Sequence, residues 1–310
     1  MSLGEWDFIR WIQQRTATHP GVIVGPGDDA AVLAPSAHPI IATNDVLTEG
    51  IDFLVHQTTL RQMGRKAMAV NLSDIAAMAA VPTAALVGIV APKLQMLEPD
   101  AMQELFRGLH DIAHLYDVPI VGGDTNSWNG GWVISVTVLG QATERGAVLR
   151  SGAKPGDRIF VTGPLGGSIL GRHLTPIPRV REALRLHQAV NLHAMADISD
   201  GLSLDLSHIL EASACGAILD AQAIPIHADA YKLAEQSGRT PLDHALSDGE
   251  DFELVFTVNP DDAERLLQSN PVPNLSLTMI GECVEAGLWL REAGKESVLV
   301  PRGWTHGESE

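Results

Sequence analysis

Residues 64–80 read GRKAMAVNLSDIAAMAA, a stretch that combines strong helix formers with two polar residues in an otherwise apolar face. It is rich in Ala and Met and has no Gly or Pro after its first residue, so it predicts a helix. Steps of three and four residues place Ala67, Val70, Asn71 and Asp74 on one side of that helix. An amide and a carboxyl group therefore interrupt a surface that would otherwise pack entirely in the core.

Short apolar runs flank this helix on both sides. Residues 40–47 (IIATNDVL) and 83–91 (TAALVGIVA) are bounded by Pro, Gly or polar residues, which predicts buried strands. An amphipathic helix is predicted over 99–116 and a β-branched strand over 132–140. The first 142 residues thus mix strands with helices, which indicates an α/β domain.

A segment rich in Gly, Pro and charged residues marks the start of a second domain. Residues 150–157 (RSGAKPGD) read as a linker, and the strand-like RIFVTG follows at 158–163. We place the boundary near residue 150, with an N-terminal domain over 1–150 and a C-terminal α/β domain over 151–310. The glycine-rich GPLGGSILG at 163–171 predicts a loop that enters a helix. Further along, a helix is predicted over 201–213 and strands over 217–220, 252–258, 276–282 and 287–292.

Composition and charge exclude several classes of protein. With 310 residues, 45% hydrophobic and 19% charged, the chain is an ordinary folded protein. The formal charge of −17 opposes binding to nucleic acid or to an anionic membrane. No apolar stretch is long enough to span a bilayer, and the start has no signal-peptide-like apolar region. Two cysteines provide neither a disulfide framework nor a zinc site, so we expect a cytoplasmic protein.

Aspartates occur repeatedly beside Gly, Ala or Ile at the ends of apolar runs, in five segments. The segments are GPGDDAAVL (Asp28, Asp29), ATNDVL (Thr43, Asn44, Asp45), NLSDIAAM (Asp74), IVGGDTN (Asp124) and ADISDGLSLDL (Asp197, Ser199, Asp200, Asp205). A carboxylate in an apolar setting costs several kcal/mol unless it is paired or binds a metal, and these segments hold few Lys or Arg. Oxygen ligands without Cys or His favour Mg²⁺, and a carboxylate–Mg²⁺ cluster suits a nucleotide or phosphate ester.

Each of these acids also has a structural interpretation when taken alone. Asp28 and Asp29 can form a turn or a helix cap, and Asp124 can form a turn after two glycines. Asp74 can be a buried hydrogen-bonded acid, and either Asp197 or Asp200 can cap the helix that follows. The sequence has no P-loop and no Rossmann glycine pattern, so neither of those phosphate-binding modes is supported. Only the five segments taken together indicate a metal site.

Six motifs are distributed along the chain: GDDAAVL (27–33), KAMAVNLSDIAAM (66–78), VGGDT (121–125), RSGAKPGD (150–157), ISDGLSLDLSHI (198–209) and GEDFELVFT (249–257). Together they resemble the motifs of the thiamine-monophosphate kinase family, within the superfamily of aminoimidazole ribonucleotide synthetase and selenophosphate synthetase. The resemblance covers nearly the whole chain. It implies a two-domain aminoimidazole ribonucleotide synthetase-like fold, with N-terminal domains that pair into a dimeric β-barrel and a C-terminal domain that covers the nucleotide. It also implies transfer of the γ-phosphoryl group of ATP onto thiamine monophosphate with several Mg²⁺ ions.

The resemblance also assigns roles to individual residues. It implies metal binding by Asp29, Thr43, Asn44, Asp45, Asp74, Asp124, Asp197 and Asp200, with Asp45, Asp124 and Asp200 as catalytic residues. It implies ATP contacts by Gly123, Asp124, Arg150 and Ser199, and acceptor contacts by Asp52, Glu250 and Trp304. An aromatic ring such as that of Trp304 can stack on a cationic thiazolium.

Some positions depart from the family pattern. Asp52 stands where the family commonly has His, and Asp248 replaces the first Gly of the usual GGED. The basic residue that usually follows Asp124 is absent, and the segment 166–180 is shorter than usual. Two alternatives therefore stay open: a same-fold ATP-dependent enzyme that acts on another small acceptor, and a dimeric Mg²⁺–nucleotide-binding protein without turnover.

Overall fold

The computed structural model describes residues 10–15, 19–26, 30–96 and 100–305. The chain divides into two compact units. The first, the N-terminal unit, comprises the chain up to Ile75 and Ala80–Gly146. The second, the C-terminal unit, comprises Ala76–Ala79 and the chain from Ala147 onward. Among the described residues, no helix is both long and apolar enough to cross a membrane.

The N-terminal half contains a four-stranded sheet with the order β3-β6-β4-β5 and a small two-stranded sheet, β1-β2. Its elements are β1 (Val22–Val24), β2 (Val32–Leu33), β3 (Ile40–Thr48), α1 (Leu60–Ala77), β4 (Val81–Pro92), α2 (Lys93–Met96), α3 (Ala101–Leu115), β5 (Ile120–Trp128) and β6 (Val133–Gln141). Residues 10–13 are helical and Val55–Gln57 form a 3₁₀ turn. Strand β4 pairs in parallel with β5, whereas β6 pairs antiparallel with both β3 and β4. The strands predicted over 40–47, 83–91 and 132–140 are confirmed.

Helix α1 begins four residues earlier than predicted, because Gly64 lies inside the helix rather than at its start. A Cβ added at Gly64 would lie 2.0 Å from the carbonyl oxygen of Leu105, and one at Gly108 would lie 1.9 Å from that of Arg61. Helices α1 and α3 therefore cross in direct backbone contact, which only glycine permits at these two positions. The start is also marked by Thr59, whose hydroxyl accepts from the Gln62 amide at 3.2 Å.

The two faces of the four-stranded sheet differ in their exposure. On the helix-covered face, Ile134, Val136 and Val138 of β6 are fully buried. On the opposite face, Ile40 and Val46 of β3 are 68% and 53% exposed, and Leu86 and Trp128 are also exposed. The register aligns Val46, Ser135, Gly88 and Asp124 in one row across the sheet. We call this exposed surface, which carries both apolar and polar side chains, the open sheet face.

The C-terminal half contains a seven-stranded mixed sheet with the order β13-β12-β9-β11-β7-β10-β8. Its strands are β7 (Arg158–Thr162), β8 (Ala194–Asp197), β9 (Gly216–Asp220), β10 (Leu254–Val258), β11 (Leu277–Val284), β12 (Leu288–Glu292) and β13 (Lys295–Val298). Its helices are α4 (Val180–Ala189), α5 (Leu202–Ser213), α6 (Ala228–Ser237), α7 (Pro241–Ser247) and α8 (Pro260–Gln268). The predicted helix and the four predicted later strands of this half agree with the structure to within two residues.

Two local interpretations of the sequence are wrong. The segment 163–171 does not enter a helix but leads into two 3₁₀ turns, Ser168–Leu170 and Arg172–Leu174, and α4 begins only at Val180. Asp124 does not lie in a turn but in the middle of β5, an edge strand that the sequence analysis missed. Glycines at 122 and 123 hid this strand, because glycine has low β-propensity.

Candidate functional site

An acidic cluster forms where β3 faces α1 in the N-terminal unit. The Thr43 hydroxyl donates a hydrogen bond to the Asp74 carboxylate. The Asn71 side-chain oxygen accepts from the backbone amide of Asp45 at 3.0 Å, while its amide donates to the Ala67 carbonyl. Alternate residues of the strand thus meet residues three apart on the helix, as the two periodicities require.

The electrostatics of this cluster favour a divalent cation. Burial, followed by the charges of Asp74 and Asp52, raises the pKa of Asp45 to about 7. Carboxylates that repel one another in this way ionise readily only when a cation neutralises them. With the Thr43 hydroxyl they form an all-oxygen donor set, which fits Mg²⁺.

We expect this repulsion to be visible in the stability of the protein. Because the folded-state pKa of Asp45 is raised, stability decreases as the pH rises from about 4, the pKa of an unfolded Asp, to about 7. In EDTA, an Asp45→Asn variant should therefore have a higher Tm than wild type at pH 8 and an equal Tm at pH 4. A lower Tm for the variant at pH 8 would contradict a repulsive cluster.

The structure does not bring every predicted metal ligand to this cluster. The Asn44 side chain lies on the open sheet face, where it donates to the Thr137 hydroxyl at 2.8 Å and to the Ser135 hydroxyl at 3.0 Å. Asp124 is exposed on β5, at the opposite edge of the sheet from β3. Within the described part of the chain, no three Asp, Glu, His or Cys residues are grouped closely enough to hold a metal. Asp28 and Asp29 lie outside the described residues.

Asp52 takes part in the turn that follows β3. Its carboxylate accepts from the Thr48 backbone amide at 2.6 Å, and its own carbonyl accepts from the Lys66 ammonium group at 2.6 Å. Lys66 is only 1% exposed, and the sequence analysis did not single it out. Asp52 therefore has a structural task, because it fixes the shape of this turn.

In the C-terminal unit, the predicted metal ligands Asp197 and Asp200 and the predicted ATP contact Ser199 lie at the start of α5. Asp197 ends β8 and is 4% exposed, and Ser199 and Asp200 follow it. The Asp205 carboxylate reaches back to accept from the backbone amides of Asp200 and Gly201, both at 3.0 Å. Gly201 is the N-cap residue, and it has no capping side chain. The interpretation of Asp197 or Asp200 as the cap is therefore wrong, and Asp205 binds these amides instead.

The pKa of Asp205 depends on two of the predicted residues, Asp200 and Arg150. Burial, followed by the charge of Asp200, raises the pKa of Asp205 to about 7, against the lowering effect of the two backbone amides and, after them, of the Arg150 charge. Arg150 is also tied to α5, because its carbonyl accepts from the Ser213 hydroxyl at 3.2 Å. Arg150 thus supplies positive charge near Asp200 and Asp205.

The predicted acceptor residues Glu250 and Trp304 lie next to this region. The Glu250 amide donates to the Ser199 carbonyl at 2.6 Å, and the Trp304 amide donates to the Asp200 carbonyl at 2.9 Å. A Cβ on Gly303 would lie 2.4 Å from the same Asp200 carbonyl, so the chain here runs directly against the loop after β8. The structure therefore brings Ser199, Asp200, Glu250 and Trp304 into one neighbourhood.

Backbone strain marks the segment that contains Glu250. Glu250 and Phe252 have φ angles of 61° and 51°, and neither is a glycine. This left-handed conformation costs roughly 1–2 kcal/mol per residue, so the surrounding contacts must hold it in place.

Several side chains that the sequence analysis missed supply those contacts. Glu253 accepts from the Thr162 hydroxyl at 2.6 Å and forms a two-point pair with Arg179. Asp251 is buried and pairs with Arg172 at 3.0 Å. The available signal was the presence of two acids, Asp251 and Glu253, in an apolar stretch whose basic partners lie about 75 residues upstream.

Comparisons with known proteins agree with this two-part arrangement. The family described as AIR synthase related protein, N-terminal domain, matches residues 27–142, and its C-terminal domain counterpart matches residues 154–288. The chain is thus a two-domain protein of the AIR synthase-related class, with a mixed α/β fold.

Individual relatives define the family within that class. A thiamine-monophosphate kinase from Rhodopirellula baltica is 44% identical over 99% of this chain and 98% of its own length. The crystal structure of thiamine-monophosphate kinase from Stenotrophomonas maltophilia K279a matches with a TM-score of 0.79 at 32% identity, covering 94% of this chain and 97% of that one. The structure of AaThiL complexed with AMPPCP and TMP matches with a TM-score of 0.76 at 28% identity, covering 98% and 97%. The chain belongs to the thiamine-monophosphate kinase family.

Proposed function

We propose that this protein transfers the γ-phosphoryl group of ATP to thiamine monophosphate, which gives thiamine diphosphate and ADP in a Mg²⁺-dependent reaction. The observation that carries the proposal is the 44% identity to a thiamine-monophosphate kinase along 99% of the chain. The acidic cluster and the Ser199–Glu250 neighbourhood give the two units the polar groups that such a reaction uses.

The residues divide between the two units. In the N-terminal unit we assign metal binding to Thr43, Asn44, Asp45, Asp74 and Asp124, and to Asp29 outside the described residues. In the C-terminal unit we assign it to Asp197 and Asp200. We assign ATP contacts to Gly123, Asp124, Arg150 and Ser199, and acceptor contacts to Asp52, Glu250 and Trp304.

The reaction requires these residues to orient the two phosphate groups and to balance their charge, and it does not require a strong base. The acceptor is a phosphate that is already ionised near neutral pH, so no side chain has to remove a proton from it. Bound Mg²⁺ would supply neutralising charge for the two phosphate groups. Arg150 adds a permanent positive charge, and the Asp carboxylates fix the arrangement of the site.

We further propose that the protein is a homodimer. The open sheet face exposes Ile40, Val46, Leu86 and Trp128, and an apolar patch of this kind is typical of an interface. Strands β3 and β5 are both unpaired at their outer edges among the described residues, and closure of two such sheets into a barrel would pair them.

The dimer accounts for the separation of Asp45 and Asp124. Within one chain these residues lie on strands three positions apart, about 14 Å, too far to share a metal. If β5 of one subunit lies beside β3 of its partner, Asp124 lies on the same face as the partner subunit's Asn44, with Asp45 next along that strand on the opposite face. We propose that the metal site is composed in this way from two copies of the chain.

The test of the acceptor side uses Trp304, which is 45% exposed. Stacking of an indole on a thiazolium cation is worth about 1–2 kcal/mol, so Trp304→Ala should raise the KM for thiamine monophosphate about tenfold. Trp304→Phe should retain most of the affinity. The matched control is Trp289→Ala, which removes another indole of the C-terminal unit and should leave this KM unchanged. An equal rise of the KM for ATP in Trp304→Ala would contradict an acceptor role.

The reaction itself is tested with purified protein, ATP, Mg²⁺ and thiamine monophosphate, with quantification of thiamine diphosphate. Product is expected, and it should disappear when EDTA replaces Mg²⁺. Mg²⁺-dependent ATP binding without product would refute thiamine monophosphate as the acceptor.

We also place the protein in the cytoplasm, because Cys215 and Cys283 are both free, as is usual in a reducing compartment.

A further inference from the structure

Two loops of the C-terminal unit are joined through side chains. We call residues 247–253 the acidic loop and residues 163–174 the glycine loop. The acidic loop contains Glu250, the proposed acceptor contact, in its strained left-handed conformation. The glycine loop has no regular helix or strand beyond its two 3₁₀ turns.

Three hydrogen bonds cross from one loop to the other near Glu250. The Asp251 carboxylate accepts from the Gly166 amide at 2.8 Å, and the Asp248 carboxylate accepts from the Gly167 amide at 2.9 Å. In the other direction, the Ser168 hydroxyl donates to the Gly249 carbonyl at 2.6 Å. The residues on both sides of Glu250 are thereby attached to the glycine loop.

Arg172 closes this connection. One of its terminal nitrogens donates both to the Asp251 carboxylate at 3.0 Å and to the Gly166 carbonyl at 2.8 Å. The Asp251 side chain has no exposed surface, whereas that of Arg172 is 30% exposed. A fully buried carboxylate needs compensating donors, and the Gly166 amide and Arg172 provide them.

On its other side the acidic loop is attached to the segment after β8. The Glu250 amide donates to the Ser199 carbonyl at 2.6 Å, and the Phe252 amide donates to the Ile198 carbonyl at 2.8 Å. Glu250 is therefore held between the proposed nucleotide residue Ser199 and the glycine loop. Its unfavourable backbone conformation persists because both sides are fixed.

We propose that Asp251 and Arg172 are positioning residues, which hold Glu250 in the conformation that contacts the acceptor. The inference rests on the proposed function, in which Glu250 contacts thiamine monophosphate. It gives a task to the glycine loop as well, since this loop is the support against which the acidic loop is fixed.

The test compares Asp251→Asn and Arg172→Gln with wild type. The Gly166 amide and Arg172 donate to different oxygens of Asp251, and Asn replaces one of these oxygens with a donor, so one contact is lost. We expect the KM for thiamine monophosphate to rise about tenfold or more while the KM for ATP changes less than about twofold. Arg172→Lys keeps the charge on a shorter side chain without the planar guanidinium, so it should weaken both hydrogen bonds and give an intermediate KM. The matched control is Arg158→Gln, which breaks a partly exposed pair with Glu282 and should change neither KM.

A purely structural role would instead lower the Tm and raise both KM values together, and this result would overturn the proposal. If Asp251→Asn does not fold, Arg172→Lys decides the question by the same two KM values. Amide hydrogen exchange separates this inference from the proposed function, since it needs no turnover. Should wild type make no thiamine diphosphate, the proposed function fails. Faster exchange at the Gly166 and Glu250 amides in Arg172→Lys would still support the connection, and unchanged exchange would overturn it.

Discussion

An Asp45→Asn variant is expected to phosphorylate thiamine monophosphate at least about 10³-fold more slowly than wild type, because it removes a proposed Mg²⁺ ligand from the site where two anions must react. The substitution preserves the size of the side chain. It also preserves the backbone amide that the Asn71 oxygen accepts from at 3.0 Å, so the β3–α1 contact should remain intact. The loss should therefore appear in kcat, with a Tm that does not fall.

The measurement is steady-state formation of thiamine diphosphate over a range of Mg²⁺ concentrations. Asp111→Asn is the matched control. Asp111 lies on α3 of the same unit, and its carboxylate accepts a hydrogen bond at 2.7 Å from the guanidinium group of the exposed Arg61. It should retain wild-type kcat. If Asp45→Asn also retains wild-type kcat at every Mg²⁺ concentration, the acidic cluster is not the metal site.

Periodicity predicted the acidic cluster correctly in part. Helical steps placed Asn71 and Asp74 on one face, and these residues do meet Asp45 and Thr43. Alternation along a strand also means that Asn44 must point away from its two neighbours, and the structure places it on the other side of the sheet. Thr43, Asn44 and Asp45 are adjacent in the sequence motif. The pleat of β3 places Asn44 on one face of the sheet and the other two residues on the opposite face.

Contacts between residues far apart in the chain could not be predicted from local sequence patterns. Gly64 is a helix breaker by propensity, yet it lies inside α1 because α3 passes directly against it. Asp251 and Glu253 are recognisable as unusual acids, but their partners Arg172 and Arg179 are about 75 residues away along the chain. No local pattern specifies such a pairing, since it depends on how β7 and β10 lie side by side.

The strongest test of the proposed composite metal site combines two variants that are each expected to be inactive. Asp45→Asn and Asp124→Asn should each have very low activity as pure dimers, because every site then contains one substitution. In a mixed dimer, a site built from β3 of one subunit and β5 of the other combines both substitutions at one position and leaves the second site fully wild type. Random pairing makes about half of the dimers mixed, so about a quarter of wild-type activity should return.

The experiment mixes the two variants under conditions that allow subunit exchange, with size-exclusion chromatography to establish the dimer and unmixed samples as controls. If Asp45 and Asp124 of the same subunit serve one site, each site of a mixed dimer still contains a substitution, and no activity returns. Recovery of activity is therefore expected only if one site combines β3 of one subunit with β5 of the other. Because β3 and β5 are the two outer strands of the four-stranded sheet, pairing with a neighbouring copy would place Asp124 of one chain beside β3 of the other.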